Sequence, residues 1–572
     1  MKKIIFFTVI TTVFLLGTFT RFDNLSNHFT HVDDISVAKI ILDSRNSNVI
    51  ENIYDPKHPN YNQNYKKKIK EYLDKEKHSF YLLVIKKTYH YLSIPFYLSY
   101  APLQFVLTSS LLPFAENYEQ IKFLGRLPSF IISLISFGFM YAIANLLFDK
   151  NRSYLILVSS ALFYLSWEYV IISQLMHNYA LGVLSFLIII YLFLNIKERN
   201  NNYFKRGIKL GSFLSILIYA HYQIIMIIPA FFATLCWNLL EYKNLKEKFN
   251  AFKLIFVSSL TSALLALPAI IWIYIRNYGS TYNSWNAGPK NEFLINWNSF
   301  FDSYLYLPKF IISNFYIVSS RTISFVSESF IYFDLIFIFI VALIPLGLLN
   351  LLKDKNDINR KFGKFSVFII ISWIVFALFS KITLSPTRHS IILLPIFCLL
   401  VTKGFEYVLI KINKNFFNKK IINFTSVIIS ALIIILFVFN YKNVMQHRYD
   451  LFSEKQFINL INKYDTKEIL IYDNFLANPS VMPELSKLQV NINYIDSIYN
   501  SFKLKKEINN IIFVSDMFPI SKSLVAKEFI VKNLKNWKVV HKLEKELPVE
   551  LEFSSLTKNT GNNIYLYVYS KN

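Results

Sequence analysis

The chain has 572 residues, of which 54% are hydrophobic and 17% aromatic, and it carries a formal net charge of +24. Apolar runs of about 20 residues, long enough to cross a hydrocarbon core, recur along it and exclude an ordinary soluble protein. The lysines are scattered over connectors instead of forming one patch, which argues against nucleic acid, and both cysteines (Cys236 and Cys398) lie inside apolar runs, which argues against a disulfide framework.

Taken in chain order, the apolar runs predict spans over 4–20, 123–148, 154–173, 179–196, 208–220, 222–240, 254–276, 331–352, 365–380, 390–410 and 421–440. The expected fold class is therefore a polytopic α-helical membrane protein of about eleven transmembrane helices with a C-terminal extracytoplasmic α/β domain. The first run lacks a small-x-small cleavage motif, so an uncleaved first span is expected. The stretch "IPFYLSYAPLQFVLTSSLLPF", 94–114, holds Pro95, Pro102 and Pro113, which break backbone bonding that lipid cannot replace. It reads as a re-entrant or interfacial helix.

Connectors such as "DKNR", "EYKNLKEKF" and "KDKNDINRKFGK" are short and basic, and all fall on one side if the first span runs outward from "MKK". The positive-inside rule makes that side cytoplasmic. The opposite side receives a first loop over 21–122, a loop over about 277–330, the turn "KITLSPTRHS" and everything after about 441. The segment 441–572 alternates strand-like runs ("KEILIYDN", "VNINYID", "NNIIFVSD", "WKVVHKLE", "NIYLYVYS") with helix-like ones ("SEKQFINLINKY", "SKSLVAKEFIVKNL"), as a small α/β domain does. It has no Gly-rich phosphate loop.

Few ionisable residues fall at mid-span. Glu168, His177, His221, Arg276 and Arg388 all lie near outer helix ends, so a transporter or flippase, which needs polar groups across the bilayer, loses ground to a site at the outer interface. A polymerase or ligase of lipid-linked surface glycans is the other alternative; large late loops would mark it, whereas the largest loop here follows the first span. At the outer interface a lipid tail can stay in the bilayer while its head group meets an aqueous acceptor. Such chemistry needs a carboxylate to take a proton and cations to hold a phosphate. Asp33 and Asp34 are candidates for the first role; Arg388, Arg126 and Lys39 are candidates for the second. His31, Glu168, His177, His221 and His389 are candidates to line the pocket. His28 and His31 beside the two acids raise the question of a metal, but no Cys pair or HExxH spacing supports one, so neither a metal nor a cofactor is expected.

Four stretches in order resemble one family. They are "HVDDISVAK" just after the first span, "APLQFVLTSSLLPF", "IKFLGRLPSFIISLISFGFMYAIANLLF" leading into the second span, and "TRHSIILLPIFCLL" at a late one. Over roughly 1–440 the chain resembles the integral-membrane C-form (GT-C) glycosyltransferase superfamily, in its protein mannosyltransferase and aminoarabinose transferase branch. The resemblance implies transfer of a sugar from a polyprenyl-phosphate donor to a glycan, lipid or protein acceptor, with inversion, in the bacterial inner (cytoplasmic) membrane and on its extracytoplasmic side. It also implies that Asp33 is the general base. Asp34 stands where the family has Glu, Ala101 where it has a further proline, and His389 where it has an aromatic.

Overall fold

The computed structural model describes residues 2–23, 25, 102–148, 154–196, 202–276, 306–326, 331–378, 390–412, 419–445, 454–472, 488, 490–494, 508–515, 533–534, 536–545 and 564–571. Among them, seven helices are long and apolar enough to cross a membrane: Lys3–Phe22, Glu119–Leu147, Ile224–Glu241, Leu245–Ala269, Phe333–Leu352, Ile391–Lys411 and Ile422–Tyr441. Leu155–Tyr164 and Tyr179–Asn195 are shorter apolar helices. The chain is a multi-pass helical membrane protein.

Helix α1 (Lys2–Phe22) is the first span. In the stretch 94–114 the described part, from 102 on, forms a ten-residue helix, α2 (Pro102–Leu111), followed by a 3-10 turn at Leu112–Phe114. At about 1.5 Å per residue that is half the thickness of a hydrocarbon core. Helix α3 (Tyr118–Leu147) begins on two reciprocal bonds: Gln120 N donates to the Asn117 Oδ1 cap at 2.9 Å, and Glu116 N donates to Gln120 Oε1 at 2.8 Å.

The expected continuous span over 154–173 is broken. Helix α4 (Leu155–Tyr164) stops at Leu165, and α5 (Trp167–Ile172) starts after an extended Ser166. The break is held from far along the chain, because Ser166 Oγ donates to the Thr322 carbonyl and Trp167 N to the Ser324 carbonyl, both at 2.7 Å. The loop expected over 277–330 also needs correcting, since α10 (Tyr306–Thr322) supplies those carbonyls from its end and from just beyond it. Pro308, Lys309, Asn314 and Arg321 interrupt its apolar pattern, which hides it from a hydropathy reading.

Each remaining expected span coincides with a helix, α6 (Tyr179–Asn195), α7 (Tyr203–Ala220), α8 (Ile224–Glu241), α9 (Leu245–Arg276), α11 (Phe333–Leu352), α12 (Asp357–Leu378), α13 (Leu394–Ile412) and α14 (Lys419–Met445), although α6, α7 and α12 are not among the seven, and α9 and α12 start eight or nine residues earlier than expected because polar turns precede their apolar runs. Lipid offers no hydrophobic drive for helix pairing, so small residues let backbones meet. Gly347 of α11 packs on the Leu400 carbonyl and Gly404 of α13 on the Leu343 carbonyl so closely that a Cβ at either would overlap the backbone. Between α7 and α9, Ser215 Oγ donates to Gly211 O at 2.8 Å and lies 3.1 Å from Ser262 O.

At the end of the bundle that carries the basic connectors, two lysines are buried against acids. Lys403 Nζ meets Glu406 Oε2 at 3.0 Å and donates to the Leu147 carbonyl that ends α3 at 2.8 Å; the side chains are 2% and 4% exposed. Lys364 Nζ pairs with Glu241 at 2.6 Å and with Asn238 Oδ1 at 3.2 Å.

All five expected C-terminal strands form, as β1 (Glu468–Tyr472), β2 (Asn491–Tyr494), β3 (Asn510–Ser515), β4 (Trp537–Lys545) and β5 (Ile564–Lys571), in one sheet of order β2-β1-β3-β5-β4. Strand β1 pairs in parallel with β2 and β3, whereas β5 runs antiparallel to β3 and β4. Consecutive residues Ile511, Ile512 and Phe513 of the central strand are all fully buried, so both faces of the sheet are covered there. Helix α15 (Glu454–Lys463) precedes β1 and buries Phe457 and Ile461. Most of the helix expected over 521–534 lies outside the described residues.

Candidate functional site

A layer of buried polar groups occupies the end of the bundle away from the basic connectors. Its frame is the stripe that α3 turns inward: Lys122, Arg126, Ser129, Ser133 and Ser136 are all 0–2% exposed and recur at three- and four-residue steps on one face. Farther along, the same face becomes apolar with Met140, Ile143, Ala144 and Leu147. Ser133 and Ser136 donate back to the Phe130 and Ile132 carbonyls, as hydroxyls in helices do.

Three contacts bind this stripe to its neighbours. Arg126 Nη1 donates to the Leu25 carbonyl at 2.9 Å and so fixes the chain where it leaves α1. Gln174 Nε2, in the turn after α5, donates to the Thr20 and Arg21 carbonyls at 3.1 and 3.0 Å. Gln104 Nε2 of α2 donates to Ser129 Oγ at 3.2 Å, and Ser129 Oγ points on to the His177 carbonyl at 3.4 Å.

From there the His177 ring stacks on Tyr179 at 4.2 Å with 13° between planes, and Tyr179 lies 5.5 Å from His221. Gly182 leaves room for the His221 ring, which a Cβ would strike at 2.8 Å.

Arg21, in the last turn of α1, is fully buried. Nη1 donates to Gly17 O at 2.9 Å, and the guanidinium lies 4.0 Å from the Tyr164 ring centroid and 5.0 Å from that of Tyr169. Its Nε and Nη2 have no hydrogen-bond partner. Two residues on, Asp23 accepts from the Tyr441 hydroxyl of α14. Trp167 stacks on Phe437 at 4.1 Å, and Thr322 at the end of α10 meets Ser390 Oγ at 3.2 Å just before α13. Among the described residues of this layer, Arg21, Lys122 and Arg126 are buried cations, Glu168 is a buried carboxylate and Asp23 a partly buried one.

Of the residues expected from the sequence, Arg126, Glu168, His177 and His221 are described and buried at this end of the bundle. His177 and His221 join one contact chain with Ser129 through Tyr179, Arg126 stands one turn before Ser129 on the same face of α3, and Glu168 sits on α5 beside the Tyr169 that touches Arg21. Asp33, Asp34, His31, Lys39, Arg388 and His389 lie outside the described residues; Leu25 and Ser390 are the nearest described positions before the acids and after Arg388. Among the described residues no group of three or more His, Cys, Asp or Glu is placed to hold a metal ion. Sequence reading passed over Arg21, which looked like an ordinary basic helix end, and over Gln104, Thr108, Gln174 and Asn178. The only signal for these was their polarity within apolar surroundings.

Residues 119–272 match the family model described as dolichyl-phosphate-mannose-protein mannosyltransferase. No curated protein matches the chain. Among solved structures, ArnT from Cupriavidus metallidurans bound to undecaprenyl phosphate is similar, with 10% identity, 98% of this chain and 97% of that chain covered, and a TM-score of 0.49. The apo state of the same protein gives 11% identity, the same coverage and a TM-score of 0.46. At that distance neither likeness identifies this chain. The matched family segment runs from the first turn of α3 into α9 and so contains Arg126, Glu168, His177 and His221. Of the four stretches that carry the resemblance read from the sequence, "IKFLGRLPSFIISLISFGFMYAIANLLF" lies inside the segment that matches this mannosyltransferase model.

Proposed function

We propose that this protein is a glycosyltransferase that moves a sugar from a polyprenyl-phosphate donor to an acceptor at the outer face of the inner membrane. The observation that carries the reading is the link between the matched segment and the acidic motif: Arg126, inside 119–272, grips Leu25, eight residues before Asp33. The fully buried Arg21, with two donor nitrogens left over, supports an anionic group nearby, and a carrier phosphate has that chemistry. Ser390, bonded to Thr322, supports a role for Arg388 two residues earlier.

In this reading the Asp33 carboxylate takes the proton of an acceptor hydroxyl or amine. The freed lone pair attacks the anomeric carbon, and the bond from that carbon to the phosphate oxygen breaks. Polyprenyl phosphate leaves with the electron pair, held by Arg21 and Arg388, while Lys39 and Arg126 add positive field. Direct attack inverts the anomeric centre. Asp34 assists from the same stretch, and His31, Glu168, His177, His221 and His389 line the pocket.

The membrane unit spans 1–440 with eleven crossings, α4 and α5 together forming one, and 441–572 is an extracytoplasmic α/β unit. The basic connectors put their own end in the cytoplasm. The test is to incubate the purified protein with polyprenyl-phosphate sugars and a pool of envelope acceptors and to measure free polyprenyl phosphate. Acceptor-dependent release supports the reading; no release from any sugar lipid refutes it.

A further inference from the structure

The proposed transferase makes no use of the first turns of α9, and these are built unlike the rest of that helix. At about 1.5 Å per residue, the 32 residues of Leu245–Arg276 measure about 48 Å, against a hydrocarbon core of about 30 Å. The surplus includes the polar start. Gly207 packs on Val257 and Gly211 on Ser258 and Ser262, and Tyr219 Oη donates to the Leu265 carbonyl at 3.0 Å, so α7 and α9 run in parallel with Tyr203 level with Lys253. Residues 245–252 therefore reach beyond the start of α7, on the side of the basic connectors.

An apolar stripe continues through that extension. Leu245, Phe249, Phe252 and Phe256 recur at three- and four-residue steps and are 84%, 57%, 52% and 55% exposed, so they form one outward face that runs on to Leu260 and Leu267 of the apolar span. Lysines flank it: Lys246 and Lys253, seven residues apart, lie along one side and Lys248 along the other. Residues 243–253 hold four lysines and one carboxylate, Glu247. Among the described residues Lys246, Lys248 and Lys253 form no ion pair. Lys253 is held by rings instead: Nζ lies 4.0 Å from the Phe249 centroid and 5.0 Å from that of Tyr203, and donates to Tyr203 Oη at 3.4 Å.

Water would solvate these lysines but leave the three phenyl rings exposed. A headgroup layer suits both halves: acyl chains cover the stripe while phosphates meet the ammonium groups at its edges. A soluble anion would cover no ring, and a zwitterionic surface would leave the excess positive charge uncancelled. We infer that the start of α9, with Tyr203 of α7, binds the phosphodiester headgroups of anionic glycerophospholipids in the leaflet on that side, the cytoplasmic one in the orientation proposed above. The inference takes only its leaflet from that orientation, and it stands whether or not the protein transfers a sugar.

The test measures lipid affinity of the full-length protein in detergent by native mass spectrometry, with phosphatidylglycerol and phosphatidylcholine as probes and melting curves on the same samples. Wild type is compared with Lys246→Gln plus Lys248→Gln, with Lys253→Gln, and with Lys353→Gln plus Lys355→Gln, which removes the same charge from another basic connector. Wild type is expected to prefer phosphatidylglycerol, and each α9 lysine to carry about fivefold of that affinity, so that the α9 double variant loses about 25-fold and Lys253→Gln about fivefold. Phosphatidylcholine binding, the α11–α12 control and the lipid-free melting temperature of the α9 double variant are expected to stay unchanged. Equal loss in the control overturns the inference, because the preference would then follow net charge alone. Equal wild-type affinity for the two lipids, or loss of both lipids in the α9 double variant, overturns it as well. Displacement of phosphatidylglycerol by millimolar inorganic phosphate marks a soluble-anion site, and a larger loss for polyprenyl phosphate than for phosphatidylglycerol marks a contact of the carrier; either result overturns the assignment to glycerophospholipid. Should Lys253→Gln melt early, the α9 double variant decides.

Discussion

Replacing Arg21 by methionine separates function from stability in this protein. The guanidinium gains from two rings, 4.0 and 5.0 Å away, about 1 to 4 kcal/mol in all. Its bond to Gly17 O adds about 1.5 to 3 kcal/mol. Against these stands the desolvation of a fully buried cation, which costs several kcal/mol and is offset by no hydrogen bond at Nε or Nη2. Methionine fills similar space against Tyr164 and Tyr169 without that penalty, so the terms nearly cancel. Arg21→Met is expected to stay within about 2 kcal/mol of wild type, a melting shift of at most about 5 °C. Affinity for polyprenyl phosphate, by contrast, loses two charge-assisted bonds and falls about a hundredfold. Thermal melts in detergent and lipid-phosphate binding measure the two effects. A melting temperature lowered by more than about 10 °C with binding intact would show that Arg21 is a structural cation, and the phosphate assignment would fall.

Other outcomes follow from the packing. Lys403→Met alone takes the ammonium partner from the buried Glu406 and is expected to destabilise by about 3 kcal/mol, whereas the double change to Met at both positions recovers most of the loss; equal effects of single and double variants would contradict the pairing. Gly347→Ala pushes a methyl into the Leu400 carbonyl, and because backbone cannot rotate away the expected loss is about 3 kcal/mol, the top of the overpacking range, read as a lower melting temperature.

The architecture was legible wherever one physical signal dominated. Spans such as Phe333–Leu352 announce themselves by length and apolarity, and the C-terminal strands as short apolar runs between helix-like segments, whereas the pairing of β3 with β5 came from the structure. What could not be read depended on partners distant in sequence. The break at Ser166 is held by carbonyls at Thr322 and Ser324, more than 150 residues later, and nothing local in "LSWEY" marks it. Helix α10 was hidden because its charged and amide residues dilute an apolar face that only tertiary contact reveals, with Val318, Ser319 and Ser320 buried. Of the site, the placement of Arg126, His177 and His221 at one end of the bundle followed from where their helices lie in the sequence. Arg21 was missed because an arginine closing a helix usually meets water, and only its burial under Tyr164 distinguishes it. The acids themselves were singled out by motif resemblance and by their place after the first span.

The most direct measurement compares wild type with Asp33→Asn for release of polyprenyl phosphate from a polyprenyl-phosphate sugar in the presence of acceptor, with melting curves recorded on the same samples. The change keeps size and hydrogen bonding while removing the base, so the expected loss of rate is about 10² to 10⁴ at an unchanged melting temperature. Asp34→Asn is expected to lose less. Full activity in a folded Asp33→Asn protein would contradict the account.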